Sequence, residues 1–162
     1  MPKRIKQPSK PSKGVIEVFD IRLMEESDLE QVVEIEKSIF SDPWSRQSFL
    51  DSLNQNMCVY LVVENQEEII AYCGLYVVQD EGQITNVAVK ENYRNAHVAT
   101  DMLNELIKHA IDKGACNFTL EVRASNNAAI HIYEKLGFEK VGTRKKFYEK
   151  PVEDAIIMLL YK

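Results

Sequence analysis

The stretch from Ile84 to Leu106, ITNVAVKENYRNAHVATDMLNEL, is the key to the whole chain. Ile84, Val87 and Val89 make a short β-rich run, a polar loop follows at Lys90 to Arg94, and Val98, Met102, Leu103, Leu106 and Ile107 then recur at helical spacing. A strand that passes through a short loop into a helix N-terminus outlines an anion site. The first helical turn leaves backbone N–H groups without intrahelical partners, and the helix dipole adds partial positive charge there. Phosphate or pyrophosphate is the natural ligand, and the small residues Ala96 and Ala99 let it approach the backbone. Many α/β domains contain the same junction and bind nothing at it, so the rest of the chain has to decide.

Upstream, Met57 to Glu64 and Ile69 to Val78 are β-branched and aromatic runs separated by Asn65 to Glu68, a hairpin pattern. A second turn at Asp80 to Gln83, containing Gly82, leads into the opening strand, which makes three successive antiparallel strands. Downstream, Lys113 and Gly114 supply the cation and the C′ glycine that end a helix. Cys116 to Arg123 is then a strand, and a strand–helix–strand connection implies a parallel pair. Asn126 to Leu136 reads as a helix stopped by Gly137, and Lys140 to Tyr148 with Ala155 to Tyr161 as a closing antiparallel pair. Towards the N-terminus, Val15 to Leu23 is strand-like, Ser27 with Glu30 forms a capping box, and Leu29, Val32, Val33 and Glu36 fall on one helical face. FSDPWSRQSF (Phe40 to Phe49) is a proline-containing turn with Ser45 as N-cap of a second short helix.

A chain of 162 residues with 45% hydrophobic content supports one domain with a full core. Residues 1–14, MPKRIKQPSKPSKG, read as a flexible basic tail and residues 15–162 as a single domain. No apolar run has membrane-spanning length and no secretory signal is evident, so a soluble, cytoplasmic protein without a membrane partner is expected. Cys58, Cys73 and Cys116 read as buried, reduced thiols, and His97, His109 and His131 show no ligand spacing, so no metal is expected. Net charge is −5, and the first thirteen residues carry +5, which leaves −10 (−5 − 5) for the remainder. That balance argues against direct nucleic-acid binding. It suits a cationic substrate such as an amine or basic peptide, and equally an ordinary acidic surface.

Further residues stand out chemically. Glu121 interrupts the apolar run NFTLEV, so it is either a structural salt-bridge partner, with Arg123 as the nearest cation, or a desolvated carboxylate fit to act as a base. Asn126, Ile130 and Tyr133 share a helical face, which is either plain core or the lining of a ligand groove. Trp44 reads by itself as a hydrophobic plug.

ITNVAV, YRNAHVA and LEVRASNNAAIHIYEKLGF together resemble the acetyl-CoA-binding core of the GNAT superfamily of N-acetyltransferases. The closest likeness is to the RimI type, which modifies the N-terminal alanine of a ribosomal protein, and it runs from about Ile21 to Leu160. The resemblance implies an α/β (α+β) GNAT acyl-CoA N-acyltransferase fold: a central mixed, mostly antiparallel sheet with a splayed parallel strand pair and flanking helices. It implies acetyl-CoA as cosubstrate, held by the backbone of Val87, Ala88 and Val89, by the loop and helix start at Arg94, Asn95, Ala96, His97, Val98, Ala99 and Thr100, and by Asn126. It implies Glu121 as proton acceptor and Tyr133 as proton donor to the CoA thiolate. FSDPWS and EDAIIM (Glu153 to Met158) also resemble the RimI type, which implies substrate contacts from Phe40, Trp44, Tyr148 and Glu153, with the N-terminus of a ribosomal protein as partner.

The phosphate loop departs from the family pattern. Arg94 and Ala99 conform, but His97 stands where glycine is usual, so its side chain either crowds the pyrophosphate, imposes an unfavourable backbone conformation, or donates to a phosphate. The leading expectation is RimI-like N-terminal acetylation by direct attack in a ternary complex. The alternatives are a GNAT acting on a small amine or lysine, and a non-catalytic binding protein whose CoA site is weakened by His97.

Overall fold

The computed structural model describes residues 19–94 and 97–162. The expected tail, the beginning of the first strand, and Asn95 and Ala96 of the phosphate loop lie outside the described residues. Seven strands form one sheet among the described residues, in the order β1-β2-β3-β4-β5-β7-β6. They are β1 (Asp20–Leu23), β2 (Cys58–Asn65), β3 (Glu68–Val78), β4 (Glu81–Val89), β5 (Asn117–Arg123), β6 (Glu139–Glu149) and β7 (Val152–Tyr161). Four α-helices flank them among the described residues: α1 (Leu29–Ile39), α2 (Arg46–Leu53), α3 (Val98–Asp112) and α4 (Asn127–Lys135). Every neighbouring pair is antiparallel except β4 with β5.

Strand alternation sorts side chains into two cores. Val59, Leu61 and Val63 of β2 face α3 and α4, whereas Tyr60 and Val62 face α1 and α2. With helices on both faces, β2 and β3 are buried throughout most of their length, which is why they read as continuous apolar runs. Met102, Leu103 and Leu106 of α3 are fully buried, and each such side chain contributes about 1.5–3 kcal/mol of transfer free energy.

The hairpin between β2 and β3 turns on Gln66 and Glu67, both at positive φ, in agreement with the sequence. The C-terminus of α3 also agrees, with Lys113 at the cap and Gly114 at φ 98°. Three local expectations need correction. Glu25 and Asp28, instead of Ser27 and Glu30, form the capping box, because the Asp28 carboxylate accepts from the Glu25 N–H at 2.8 Å while pairing with Arg22 through both of its oxygens. Gly82 lies inside β4 instead of in a turn: a Cβ there would stand 2.8 Å from the Phe118 ring, so the glycine makes room for that ring. Of the three thiols only Cys73 is buried; Cys116 is exposed in the connection before β5 and Cys58 is half-buried.

Candidate active site

The site begins where β4 and β5 part. The two strands pair only at Glu81–Asn117, Gly82–Phe118 and Gln83–Thr119. Gly74 pairs with Asn86 and Leu75 with Ile84, so Thr85 is left as a bulge. A bulge bends its strand and increases its twist, and this one sits at the level where pairing with β5 stops. From Ile84 to Val89, β4 therefore presents alternate backbone N–H and C=O groups without a strand neighbour. Those groups match the amides of an extended ligand arm.

Beyond β4, Arg94 folds back and its Nε donates to the Val89 carbonyl at 3.2 Å. His97 precedes the first turn of α3 at φ 59° and ψ 12°, the left-handed conformation that a glycine takes freely. The expectation of an unfavourable backbone conformation therefore holds. Histidine tolerates that region better than bulky or branched residues do, and its side chain is exposed. Val98, Ala99 and Thr100 follow in the first turn, where backbone N–H groups lack intrahelical partners.

A cleft of about 500 Å³ fills the split between β4 and β5, within the range of small-molecule sites. Its lining includes Tyr133 and Asn126 from the α4 side of the sheet and Glu36, Phe40 and Trp44 from the α1 side. Its lining thus comes from both faces of the sheet. Among the sequence candidates, Glu121, Tyr133, Asn126, Val87, Phe40, Trp44 and Tyr148 come together here. Ala88 and Val89 lie further along β4, with the Ala88 side chain packed in the α1 core and Val89 against the opposite one. Arg94, His97, Val98, Ala99 and Thr100 gather at the α3 N-terminus, beyond the cleft lining.

Glu121 is half-buried, and Arg144 of β6 places its Nε 3.4 Å from the carboxylate. Of the two readings of Glu121, the salt bridge is present but with Arg144 as the cation in place of Arg123. Arg123 instead donates to Glu153 at 3.3 Å and to the Pro151 and Lys150 carbonyls at 3.1 Å, with its guanidinium 4.2 Å from the centre of the Tyr148 ring. Glu153 also accepts from the Ser125 N–H at 2.7 Å. It stands outside the cleft lining and holds Arg123 and the β5–α4 turn.

Asn126 caps α4 by accepting from the Ala129 N–H at 3.2 Å. Tyr133 lies two turns further on, 7% exposed, with its ring edge against Phe138. Burial pushes the Tyr133 hydroxyl well above its ordinary value, and among the described residues it has no hydrogen-bond partner. A phenol so placed stays protonated at neutral pH and has its proton available to a ligand.

The α1 wall contains groups that the sequence reading missed. Glu36, 3% exposed, accepts from the Trp44 N–H at 3.1 Å and from the Tyr72 hydroxyl, and burial pushes its carboxyl upwards. Trp44 packs on Phe49 with ring centroids 5.4 Å apart, so the plug reading holds while the residue also lines the cleft. Asn86, 6% exposed, is bonded to the Tyr60 hydroxyl at 3.1 Å. The available signal was the one used for Glu121: Glu36 and Asn86 are polar residues set in otherwise apolar faces.

The model of the acetyltransferase (GNAT) family matches residues 29–138. The chain is 38% identical, over 85% of its length and 92% of the relative's, to a Bacillus subtilis protein provisionally named [ribosomal protein bS18]-alanine N-acetyltransferase. It is 34% identical to the Escherichia coli [ribosomal protein bS18]-alanine N-acetyltransferase, over 86% of this chain and 95% of that one. The crystal structure of the ribosomal-protein-S18-alanine N-acetyltransferase from Escherichia coli superimposes with a TM-score of 0.81 at 32% identity, covering 89% of this chain and 94% of that chain. With the family match spanning most of the chain and the split sheet in place, this protein belongs to the acetyltransferase (GNAT) family.

Proposed function

We propose that this chain moves the acetyl group of acetyl-CoA to the N-terminal α-amine of an alanine-initiated ribosomal protein. The observation that carries the reading is the cleft itself, which collects Glu121 and Tyr133 in the split of the sheet and takes its lining from both faces. Two substrates entering from opposite faces can meet there without an enzyme-bound acyl intermediate, which suits direct attack in a ternary complex.

The residues present fit acetyl-CoA. The unpaired edge of β4 suits the amides of the pantetheine arm, and the first turn of α3 suits the pyrophosphate. Retention of the left-handed backbone at His97 supports a working phosphate loop over the non-catalytic alternative. Acetyl-CoA supplies an activated acyl carbon with a thiolate leaving group.

An α-amine has a pKa of about 7.7–8.0, so it needs only a modest base to become nucleophilic at neutral pH. Glu121 accepts that proton, directly or through one water, while Arg144 holds the carboxylate from the β6 side. As the amine nitrogen bonds to the acyl carbon, the carbon–sulfur bond breaks and Tyr133 gives its proton to the departing sulfur; the second proton shed by the nitrogen passes to solvent, from which the Tyr133 phenolate is reprotonated. Phe40, Trp44 and Tyr148 line the peptide side of the cleft. The Ser41 hydroxyl donates to the Lys150 carbonyl, which joins the α1–α2 turn to the β6–β7 turn at that entrance.

The likeness of the chain to enzymes named for bS18 alanine acetylation supports the peptide assignment. Among the described residues no helix is long and apolar enough to cross a membrane, and a ribosomal substrate locates the reaction in the cytoplasm. A panel of alanine-initiated peptides, polyamines and free lysine tests the reading. Acetylation confined to the peptide α-amine supports it, and acetylation of the small amines alone overturns it.

A further inference from the structure

Asn86 is a buried amide in the wall of the cleft, one residue past the Thr85 bulge and on the α1 side of β4. Its Oδ1 accepts from the Tyr60 hydroxyl, which itself lies 3.4 Å from Thr85 Oγ1. Tyr60 reaches Asn86 only because β3 carries glycine between them: a Cβ on Gly74 would lie 2.1 Å from Tyr60 Cε1. Residues on three consecutive strands thus combine to fix one amide.

With Oδ1 committed, the free end of Asn86 is Nδ2, which carries two N–H donors and finds no acceptor in the protein among the described residues. No fully buried polar side-chain atom lacks a partner there, so Nδ2 opens into the cleft. It lies on the same side of the sheet as Glu36 and Trp44, the face away from α3 and α4. What arrives from that face is an α-amine followed by a peptide carbonyl, and a fixed donor beside the amine matches that carbonyl.

We propose that Asn86 is a specificity-determining residue whose Nδ2 donates to the first peptide carbonyl of the substrate, with Tyr60 as the positioning residue that orients it. The proposal rests on the peptide reading above and deepens it. Simple amines have no carbonyl at this place, so Asn86 favours an N-terminus over a polyamine or alkylamine.

The test compares an alanine-initiated peptide with the same peptide carrying an uncharged trans-alkene in place of its first amide, measured as kcat and KM on the full chain with acetyl-CoA saturating. Wild type should prefer the native peptide by about tenfold in KM, the scale of one well-made hydrogen bond. Asn86→Asp keeps the acceptor for Tyr60 but replaces the donor, and should reduce that preference to near unity. Tyr60→Phe should reduce it in part, through KM with kcat little changed, and circular dichroism of both variants shows whether they are folded. Wild type that acetylates both peptides equally overturns the carbonyl assignment and leaves the activity standing. An Asn86→Asp variant that loses kcat equally on both peptides assigns the donor to the transfer step and overturns the proposal as well. Wild type inert towards both peptides overturns the peptide reading, and the proposal with it.

Discussion

Replacing Gly74 by alanine probes the packing that shapes the α1 wall of the cleft. The new methyl carbon would stand 2.1 Å from Tyr60 Cε1, 2.4 Å from Cδ1 and 2.6 Å from Cζ. An ordinary carbon contact needs about 3.5 Å, so the ring must retreat by about 1.4 Å (3.5 − 2.1). Tyr60 is 4% exposed with the Phe49 ring at 6.3 Å, so retreat means displacing neighbours in a packed core. Overpacking of this kind costs about 1–3 kcal/mol, and loss of the Tyr60–Asn86 hydrogen bond adds about 1 kcal/mol. The sum is about 2–4 kcal/mol, which at this chain length lowers Tm by about 5–15 °C. Thermal and urea unfolding should read it directly. In a Tyr60→Ala background, itself destabilised by a cavity, the same glycine substitution should cost less than about 1 kcal/mol, because the clash is gone. A Gly74→Ala protein that melts within about 1 °C of wild type, or one that loses the same stability with and without the ring, refutes the packing argument.

Three further outcomes follow from the site. Glu121→Gln should lower kcat by about 10²- to 10⁴-fold while the calorimetric affinity for acetyl-CoA is kept, and an unchanged kcat would remove Glu121 from proton transfer. His97→Gly should raise stability by about 1 kcal/mol in urea unfolding, because the φ of 59° carries a penalty for a residue with a Cβ; no gain would mean that the loop sets no strain at this position. Burial raises the Glu36 carboxyl above its unfolded value, so the native state binds that proton more tightly than the unfolded chain does. The stability linked to it is therefore full below the unfolded pKa and is lost as pH rises through the higher folded one. Chemical denaturation of wild type and Glu36→Gln across that interval should show wild type losing ground to the variant as pH increases, and a constant gap would contradict the assigned shift.

Much of this architecture was legible because local signals and tertiary demands agree. The hairpin at Gln66 and Glu67, the Ser45 cap and the Lys113–Gly114 stop each depend on a few adjacent residues, and each stands where the sequence reading has it. Where two local solutions compete, a distant partner decides. Asp28 outbids Glu30 for the cap because Arg22 of β1 already holds its carboxylate. Arg123 turns from Glu121 to Glu153 because the β6–β7 turn also offers it two carbonyls. Gly82 looks in sequence like any turn glycine and Gly74 is inconspicuous within its apolar run, yet both make room for aromatic rings on neighbouring strands. The split of β4 from β5 has no local signature at all. It was expected only from family resemblance, and the structure gives its physical correlate in the Thr85 bulge. Glu36 and Asn86 escaped for the same reason: a polar residue in an apolar face declares that a partner exists, but the partner is known only once the strands are aligned.

Mass spectrometry of an alanine-initiated peptide incubated with the purified chain and acetyl-CoA, with Glu121→Gln in parallel, tests the proposed activity most directly. The account expects a single acetyl group on the α-amine with wild type and a strongly reduced yield with the variant. A peptide left unmodified by a chain that demonstrably binds acetyl-CoA, or one acetylated only on lysine side chains, would contradict it.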